Sequence, residues 1–215
     1  MAWPKRNVGP ARSRCASLPA MSRPELPNPV LAQPHFTAPA PQSADILAAS
    51  ALDERLAHWQ EVFERTYEHW TPEGPLEEDL NTAGWVDSVT ALPIAREPMR
   101  SWADAAAGRV LKSQPRRVLE VGVGTGMLLL RIAPQTSQYV GIDISARALA
   151  YVQALVTARG LKNVALLRRE AAELEQFKDA AYDCVVLNSV VQYFPSESHL
   201  RQVLLTAVAK TAAQG

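Results

Sequence analysis

The chain has 215 residues, 47% of them hydrophobic, which suits one domain plus an extension and supplies enough apolar material for a core. Lys and Arg total 22, as do Asp and Glu, so the formal net charge of zero argues against a protein built mainly to hold nucleic acid or an anionic membrane. No apolar run approaches the roughly 18 residues of a membrane-spanning helix. Two cysteines exclude a disulfide framework and make the reducing cytoplasm the expected location.

Residues 1–43 differ from the rest of the chain in charge and in proline content. They hold five basic residues and one acidic residue, whereas residues 44–215 hold 17 basic and 21 acidic residues. Nine of the 16 prolines fall in residues 1–41, and dense proline favours extended, solvated chain. The sequence therefore predicts a disordered, Pro- and Arg-rich tail over residues 1–43.

Helices are predicted between this tail and residue 112. Apolar residues recur at steps of three and four, the spacing of an amphipathic helix, at Leu52, Leu56, Trp59, Phe63, Tyr67 and Trp70. Pro72 and Gly74 are expected to end this helix, and a second helix is predicted from about Glu97 to Lys112. We interpret residues 44–112 as an N-terminal helical lid region.

Short apolar strands alternate with helices from residue 113 onward. The pattern predicts strands over Arg117–Val121, Tyr139–Ile144, Asn163–Leu167 and Asp183–Leu187. It predicts helices over Met127–Ala133, from the N-cap Ser145 to Gly160, and from the N-cap Ser196 to about Ala209. The fourth strand is nearly all apolar, as expected of a strand buried on both faces. Residues 113–215 are therefore predicted to form an α/β, Rossmann-like, doubly wound and mainly parallel sheet.

The first strand ends in a loop that carries three glycines at steps of two, Gly122, Gly124 and Gly126. Glycine permits positive φ and lets a ligand lie against bare peptide, while the next helix offers free N–H groups. Glu120 is costly at the end of a buried strand unless it meets a partner, and it would repel a pyrophosphate. Asp143 closes the second strand, where it could accept both ribose hydroxyls. A ribose and an amino acid without a diphosphate indicate S-adenosylmethionine.

A nucleotide-dependent oxidoreductase is the second enzyme hypothesis. It is disfavoured because the position that would complete the G-x-G-x-x-G pattern is Met127. The histidines have no metal-ligand spacing, so no metal site is predicted. Trp85 and Trp102 are interpreted as packing residues, and Cys184 as a buried small hydrophobic residue.

Three segments carry a resemblance to a known family: Val118–Gly126, Tyr139–Ser145 and Val186–Ser196. They resemble class I S-adenosylmethionine-dependent methyltransferases and, more narrowly, the methyltransferase domains embedded in nonribosomal peptide synthetases. The resemblance covers roughly residues 52–215, with a weaker match upstream of the glycine loop.

The resemblance implies where the cofactor S-adenosyl-L-methionine would lie. Its methionine end would be lined by Glu120, Gly122 and Gly124, with Gly126 allowing close approach. Asp143 would hold the ribose and Ile144 would pack on the adenine. An aspartate expected near the adenine corresponds to Ala172 here, so Glu170 or Glu173 is the expected substitute.

The resemblance also implies an acceptor side at the end of the fourth strand. Asn188 and Ser189 would face the sulfonium and the acceptor, and Gln192 and Tyr193 would shape the acceptor pocket. Asn188, Gln192 and Tyr193 are therefore the candidate catalytic residues. The implied reaction is methylation, usually on nitrogen, of an aminoacyl group tethered as a thioester to the phosphopantetheine arm of a carrier protein.

The family fold has seven strands, whereas four are predicted here. The expectation is therefore that the last strands are missing and that another synthetase chain or a complementing C-terminal half is a partner. A truncated, non-catalytic remnant or interaction module remains the alternative from another class. Nucleic acid and membranes are not expected as partners.

Overall fold

A computed structural model describes residues 43–68 and 80–213 of the chain, with side chains from residue 53 onward in the first helix. The predicted tail before Ser43 lies outside the described residues. Trp70 and the predicted end of the first helix at Pro72 and Gly74 also lie outside them, and the side chain of Leu52 is not described.

The described chain alternates helices and strands. The helices are α1 (Ser43–Thr66), α2 (Arg96–Leu111), α3 (Leu129–Ile132), α4 (Ala146–Ala158) and α5 (Glu197–Lys210). The strands are β1 (Arg117–Val121), β2 (Gln138–Asp143), β3 (Val164–Arg168) and β4 (Cys184–Leu187). Short 3₁₀ helices cover Ala133–Gln135, Ala171–Gln176 and Val191–Tyr193. No helix in these parts of the chain is both long and apolar enough to span a membrane.

The predicted helix caps are present. The Ser145 hydroxyl accepts the N–H of Ala148 at 3.1 Å and begins α4, and the Ser196 hydroxyl accepts the N–H of His199 at 3.1 Å and begins α5. β1 has the predicted bounds, while β2 begins and ends one residue earlier than predicted. The ends of a strand depend on which backbone groups find partners on neighbouring strands, and the sequence pattern does not specify those partners.

The four strands form one parallel sheet in the order β3-β2-β1-β4. One face carries a core with side chains of α2, α3 and α4, and the other carries a core with α5 and the 3₁₀ helix Ala171–Gln176. Helices on both faces of a parallel sheet confirm the predicted doubly wound, Rossmann-like α/β fold.

β4 is less buried than its composition predicts. Val186 is buried, whereas Cys184, Val185 and Leu187 are only half-buried. Among the described residues, β1 is the one strand that pairs with β4, and an isolated bridge joins Tyr182 to Thr211. Apolar composition predicted burial on both faces, but burial also requires neighbours on both sides, and β4 lies at the edge of the described sheet.

The carboxyl ends of β2, β1 and β4 meet at one edge of the sheet. Parallel strands bring all the connections that leave these ends to the same side, which is where open α/β sheets bind their ligands. The glycine loop after β1, Asp143 at the end of β2, and Asn188 directly after β4 therefore lie along one crevice.

Candidate active site

The glycine loop has the backbone conformation that only glycine adopts without strain. Gly122, Gly124 and Gly126 have φ values of +76°, +53° and +79°. A Cβ at Gly122 would lie 2.8 Å from Val190, and a Cβ at Gly126 would lie 3.0 Å from Val152 on α4. Gly126 thus lets the loop pack closely on α4, while Gly122 lets it pass beneath the segment after β4.

Asp143 connects β2 to the glycine loop. Its Oδ2 accepts the N–H of Gly124 at 2.8 Å, and its Oδ1 accepts the N–H of Ser145 at 2.9 Å. Burial raises the pKa of Asp143, and the hydrogen bonds from the backbone oppose that change. Each carboxylate oxygen has a further lone pair, so Asp143 can still accept hydrogen bonds from a bound diol.

Glu120 is a buried carboxyl on β1, 3% exposed, and its side chain forms part of the same crevice. The hydroxyl of Tyr139 on β2 donates to Glu120 Oε2 at 2.8 Å. Gly141 lies directly opposite Glu120 in the sheet, so the diagonal neighbour Tyr139 reaches it without obstruction. Burial raises the pKa of Glu120 from 4.5 to about 8; the bond from Tyr139 opposes this change and nearby Asp143 adds to it.

The chain leaving β4 forms a tight turn. Ser189 has a φ of +53°, an uncommon value for a residue with a side chain, and Asn188 Nδ2 lies 3.3 Å from its hydroxyl. Gln192 Nε2 donates to the carbonyl of Ser189 at 3.0 Å. These polar groups stabilise the turn, in which Asn188 and Ser189 line the crevice.

Aromatic side chains from α1 cover the crevice. Trp59 and Phe63 contact Tyr193 edge to face, with ring centroids 4.8 Å and 5.0 Å apart. Tyr67 lies one turn further along, and a Cβ at Gly124 would come within 3.7 Å of its hydroxyl. Burial, then the charge of Asp143, raises the pKa of Tyr67, so its hydroxyl remains a donor.

The cavity measures about 440 Å³, within the range of small-molecule sites. Nine of the predicted site residues line it: Glu120, Gly122, Gly124, Asp143, Ile144, Asn188, Ser189, Gln192 and Tyr193. Gly126 and Glu173 do not line it. The Glu173 carboxylate instead accepts the N–H of Glu170 at 2.9 Å, and of these two glutamates it is Glu170 that lines the cavity.

Sequence analysis found the aromatic stripe of α1 and assigned it to a lid region, but it did not identify the residues that the stripe contacts. The stripe indicated that one helix face was packed, yet it contained no information about its partner. Trp85 and Trp102 were predicted to be packing residues; they pack against each other, with ring centroids 4.7 Å apart, and they also line the cavity. In the described part of the chain, no three His, Cys, Asp or Glu side chains cluster as metal ligands.

The cavity fits the charge of S-adenosylmethionine. Glu120 and Asp143 are two buried carboxyl groups, and neither forms an ion pair with a basic side chain of the described residues. A ligand with an ammonium group and a sulfonium would supply the missing positive charge, whereas a dinucleotide would bring a pyrophosphate against Glu120.

Residues 118–215 match the family model described as "Methyltransferase domain". The chain is 37% identical over 155 residues to chondramide synthase cmdD of Chondromyces crocatus. The matched region covers 72% of this chain and 4% of that protein. It is 35% identical over 172 residues to CymA, a nonribosomal peptide synthetase of Salinispora arenicola. That matched region covers 80% of this chain and 2% of CymA. The chain thus spans only a small fraction of these curated relatives.

The fold is similar to that of phosphoethanolamine N-methyltransferase 1 of Haemonchus contortus. That structure aligns with a TM-score of 0.55 at 18% identity, over 75% of this chain and 31% of that protein. At this identity the likeness concerns the fold alone. The family model and the synthetase relatives confirm the resemblance: the chain belongs to the class I S-adenosylmethionine-dependent methyltransferases and is related to nonribosomal peptide synthetases.

Proposed function

We propose that this chain transfers a methyl group to the amine of an aminoacyl or peptidyl group that a carrier protein holds as a thioester. The observation that carries the proposal is the single crevice lined by Glu120, Asp143 and the glycine loop together with Asn188 and Ser189. The relation to synthetase chains supports a carrier-bound acceptor.

Each cofactor-binding residue has a proposed role. Glu120 would accept the ammonium group of the methionine moiety, with the Tyr139 hydroxyl keeping its carboxyl oriented. Asp143 would accept the ribose hydroxyls while it fixes Gly124. Ile144 would pack on the adenine, and the backbone of Gly122 and Gly124 would allow the ligand to lie close. When bound, S-adenosylmethionine supplies an electrophilic methyl group.

The proposed acceptor side requires orientation more than acid–base chemistry. Displacement at a methyl group needs the nucleophile in line, so alignment supplies much of the rate. An α-amino group has a pKa of about 7.7–8.0, which leaves a useful neutral fraction near neutral pH. Asn188, Gln192 and Tyr193 line the crevice and are proposed to orient this amine.

The partners that follow from this proposal are a carrier protein with a loaded phosphopantetheine arm and the synthetase chain to which that carrier belongs. The domain boundaries predicted from sequence, with a lid region over residues 44–112 and a cofactor-binding core over residues 113–215, belong to the same proposal. The cytoplasm, expected from the low cysteine content, is its proposed location.

The test is a calorimetric titration of the full chain with S-adenosylmethionine. The wild type should bind saturably, and Asp143→Ala should lose about 1.5–3 kcal/mol of binding free energy, roughly ten- to over a hundredfold in Kd. Asp104→Asn is the matched control, because this carboxylate is 60% exposed and pairs with Arg131 away from the crevice. A folded wild type that does not bind would refute the cofactor site.

Carrier proteins loaded with a panel of aminoacyl groups then test the acceptor. Transfer of a labelled methyl group to the acyl nitrogen, detected by mass spectrometry, is the expected result. Binding of the cofactor without transfer to any loaded carrier would contradict the carrier-bound acceptor while leaving the cofactor site intact. Titration with a nicotinamide dinucleotide should show no binding.

A further inference from the structure

α1 forms one side of the crevice, although the helix is far in sequence from the glycine loop that also lines it. Leu56, Trp59 and Phe63 line the cavity from one face of the helix, and Tyr67, the residue directly after the helix, lines it as well. The position of α1 therefore determines whether this side of the cavity is formed.

A charged contact fixes α1 against the first turn of α4. Glu64 Oε1 accepts the backbone N–H of Ala146 at 2.6 Å, across 82 residues of chain. Glu64 Oε2 lies 3.6 Å from Arg147 Nε, and Glu68 Oε1 lies 3.8 Å from Arg147 Nη1. We call these interactions the α1–α4 contact.

The α1–α4 contact is made at a chemically favourable place. The first N–H groups of a helix lack partners inside it, and the helix dipole favours a negative charge there. Ser145 accepts the N–H of Ala148, so the N–H of Ala146 is left for Glu64. α4 begins three residues after Asp143, so the same turn of chain anchors both α1 and the ribose-binding carboxylate.

A second acidic residue on α1 offers a comparison. Glu61 pairs with Arg65 on the same helix, and both side chains are largely exposed, at 61% and 74%. This exposed pair connects α1 to nothing else, and such pairs contribute little to stability. Glu61 and Glu64 therefore differ mainly in whether the carboxylate reaches another element.

We propose that Glu64 is a positioning residue for the cofactor pocket: its carboxylate on the first turn of α4 holds α1 where its aromatic face covers the glycine loop. The proposal rests on the function proposed above. Without this contact, α1 would spend part of its time away from the crevice. The apparent Kd of the cofactor would then rise by the inverse of the fraction in the binding-competent position.

The experiment compares Glu64→Ala, Glu64→Gln and the control Glu61→Ala in the full chain. Glu64→Ala should raise the Kd and KM of S-adenosylmethionine about tenfold and change kcat less than about twofold, because saturating ligand restores the covered state. Glu64→Gln keeps an acceptor for Ala146 but loses the charge, so an intermediate rise of about threefold is expected. Glu61→Ala should leave the Kd within about twofold of wild type.

Hydrogen exchange supplies a readout that is independent of catalysis. Backbone amides of residues 56–66 should exchange faster in Glu64→Ala, while those of β1 keep their wild-type protection. An unchanged Kd in Glu64→Ala, an equal rise in Glu61→Ala, or an equal loss of protection in β1 would each overturn the proposal. If the wild type does not bind S-adenosylmethionine, the proposed function fails, while exchange in α1 still decides the role of Glu64.

Discussion

Replacing Glu120 by glutamine should stabilise the ligand-free protein at alkaline pH. Burial raises the pKa of this carboxyl from 4.5 to about 8, so the folded chain holds a proton that the unfolded chain releases between these values. Wild-type stability therefore falls as pH rises through this window, by about 1.4 kcal/mol per pH unit for a group that titrates in one state only. The amide that replaces the carboxyl carries no charge to bury, and it can still accept the hydrogen bond from Tyr139.

The assay is urea unfolding of both proteins at intervals from pH 5 to pH 9, because urea does not screen charge. The free energy of unfolding of Glu120→Gln minus that of wild type should rise by on the order of 4 kcal/mol between pH 5 and pH 8 and then level off. The slope is diagnostic, since any constant effect of the amide shifts all points equally. Glu61→Gln, which changes a 61% exposed side chain on α1, is the matched surface control. A flat difference for Glu120→Gln would refute the argument.

The other predictions concern the same loop and strand. Gly126→Ala should lower the free energy of unfolding by about 1–3 kcal/mol, because its φ is +79° and a Cβ would lie 3.0 Å from Val152. A Cβ added by Gly108→Ala on α2 meets nothing within 4 Å, so this variant should raise the free energy of unfolding by about 0.4–1 kcal/mol. For either glycine, a change of the opposite sign in urea titrations would contradict the prediction for that variant. Tyr139→Phe should move the pH midpoint of S-adenosylmethionine binding upward, because Glu120 loses a bond that favours its charged form; an unchanged midpoint by calorimetry would contradict this.

Interactions between residues close in sequence made part of the site predictable. The three glycines, the carboxylate before them and the acid that closes β2 each need a particular backbone or charge environment, and that need is visible in the residue types. The cap at Ser145 follows from hydrogen bonding within four residues. Because these interactions are short in sequence, the strand-loop-helix unit around Gly122 was predictable.

Contacts between distant segments were not predictable. The stripe containing Phe63 showed that α1 had an apolar face, but many buried surfaces could satisfy it. The bond from Ala146 to Glu64 joins groups 82 residues apart, and neither residue type indicates the other. Similarly, the Thr125 hydroxyl donates to the carbonyl of Asn81 at 2.7 Å, which connects the glycine loop to a segment with no regular pattern.

The tertiary structure also decided which of the two glutamates proposed to contact the adenine lies at the cavity. Glu170 and Glu173 form a reciprocal cap on the 3₁₀ helix that follows β3, in which each side chain accepts the backbone N–H of the other. Of the two, Glu170 lines the cavity. The sequence offered both residues because their distance from the cavity depends on the backbone geometry.

The sequence by itself determined the parallel α/β sheet, the glycine loop and the pair of acids that identify a cofactor with positive charge. These features depend on periodicity, φ requirements and the cost of burying charge, all of which are properties of individual residues or short segments. The tertiary structure alone decided that α1 covers the crevice and that Tyr139 supports Glu120. The arrangement of helices and strands depends on which surfaces fit together, and that is a property of the whole packed chain.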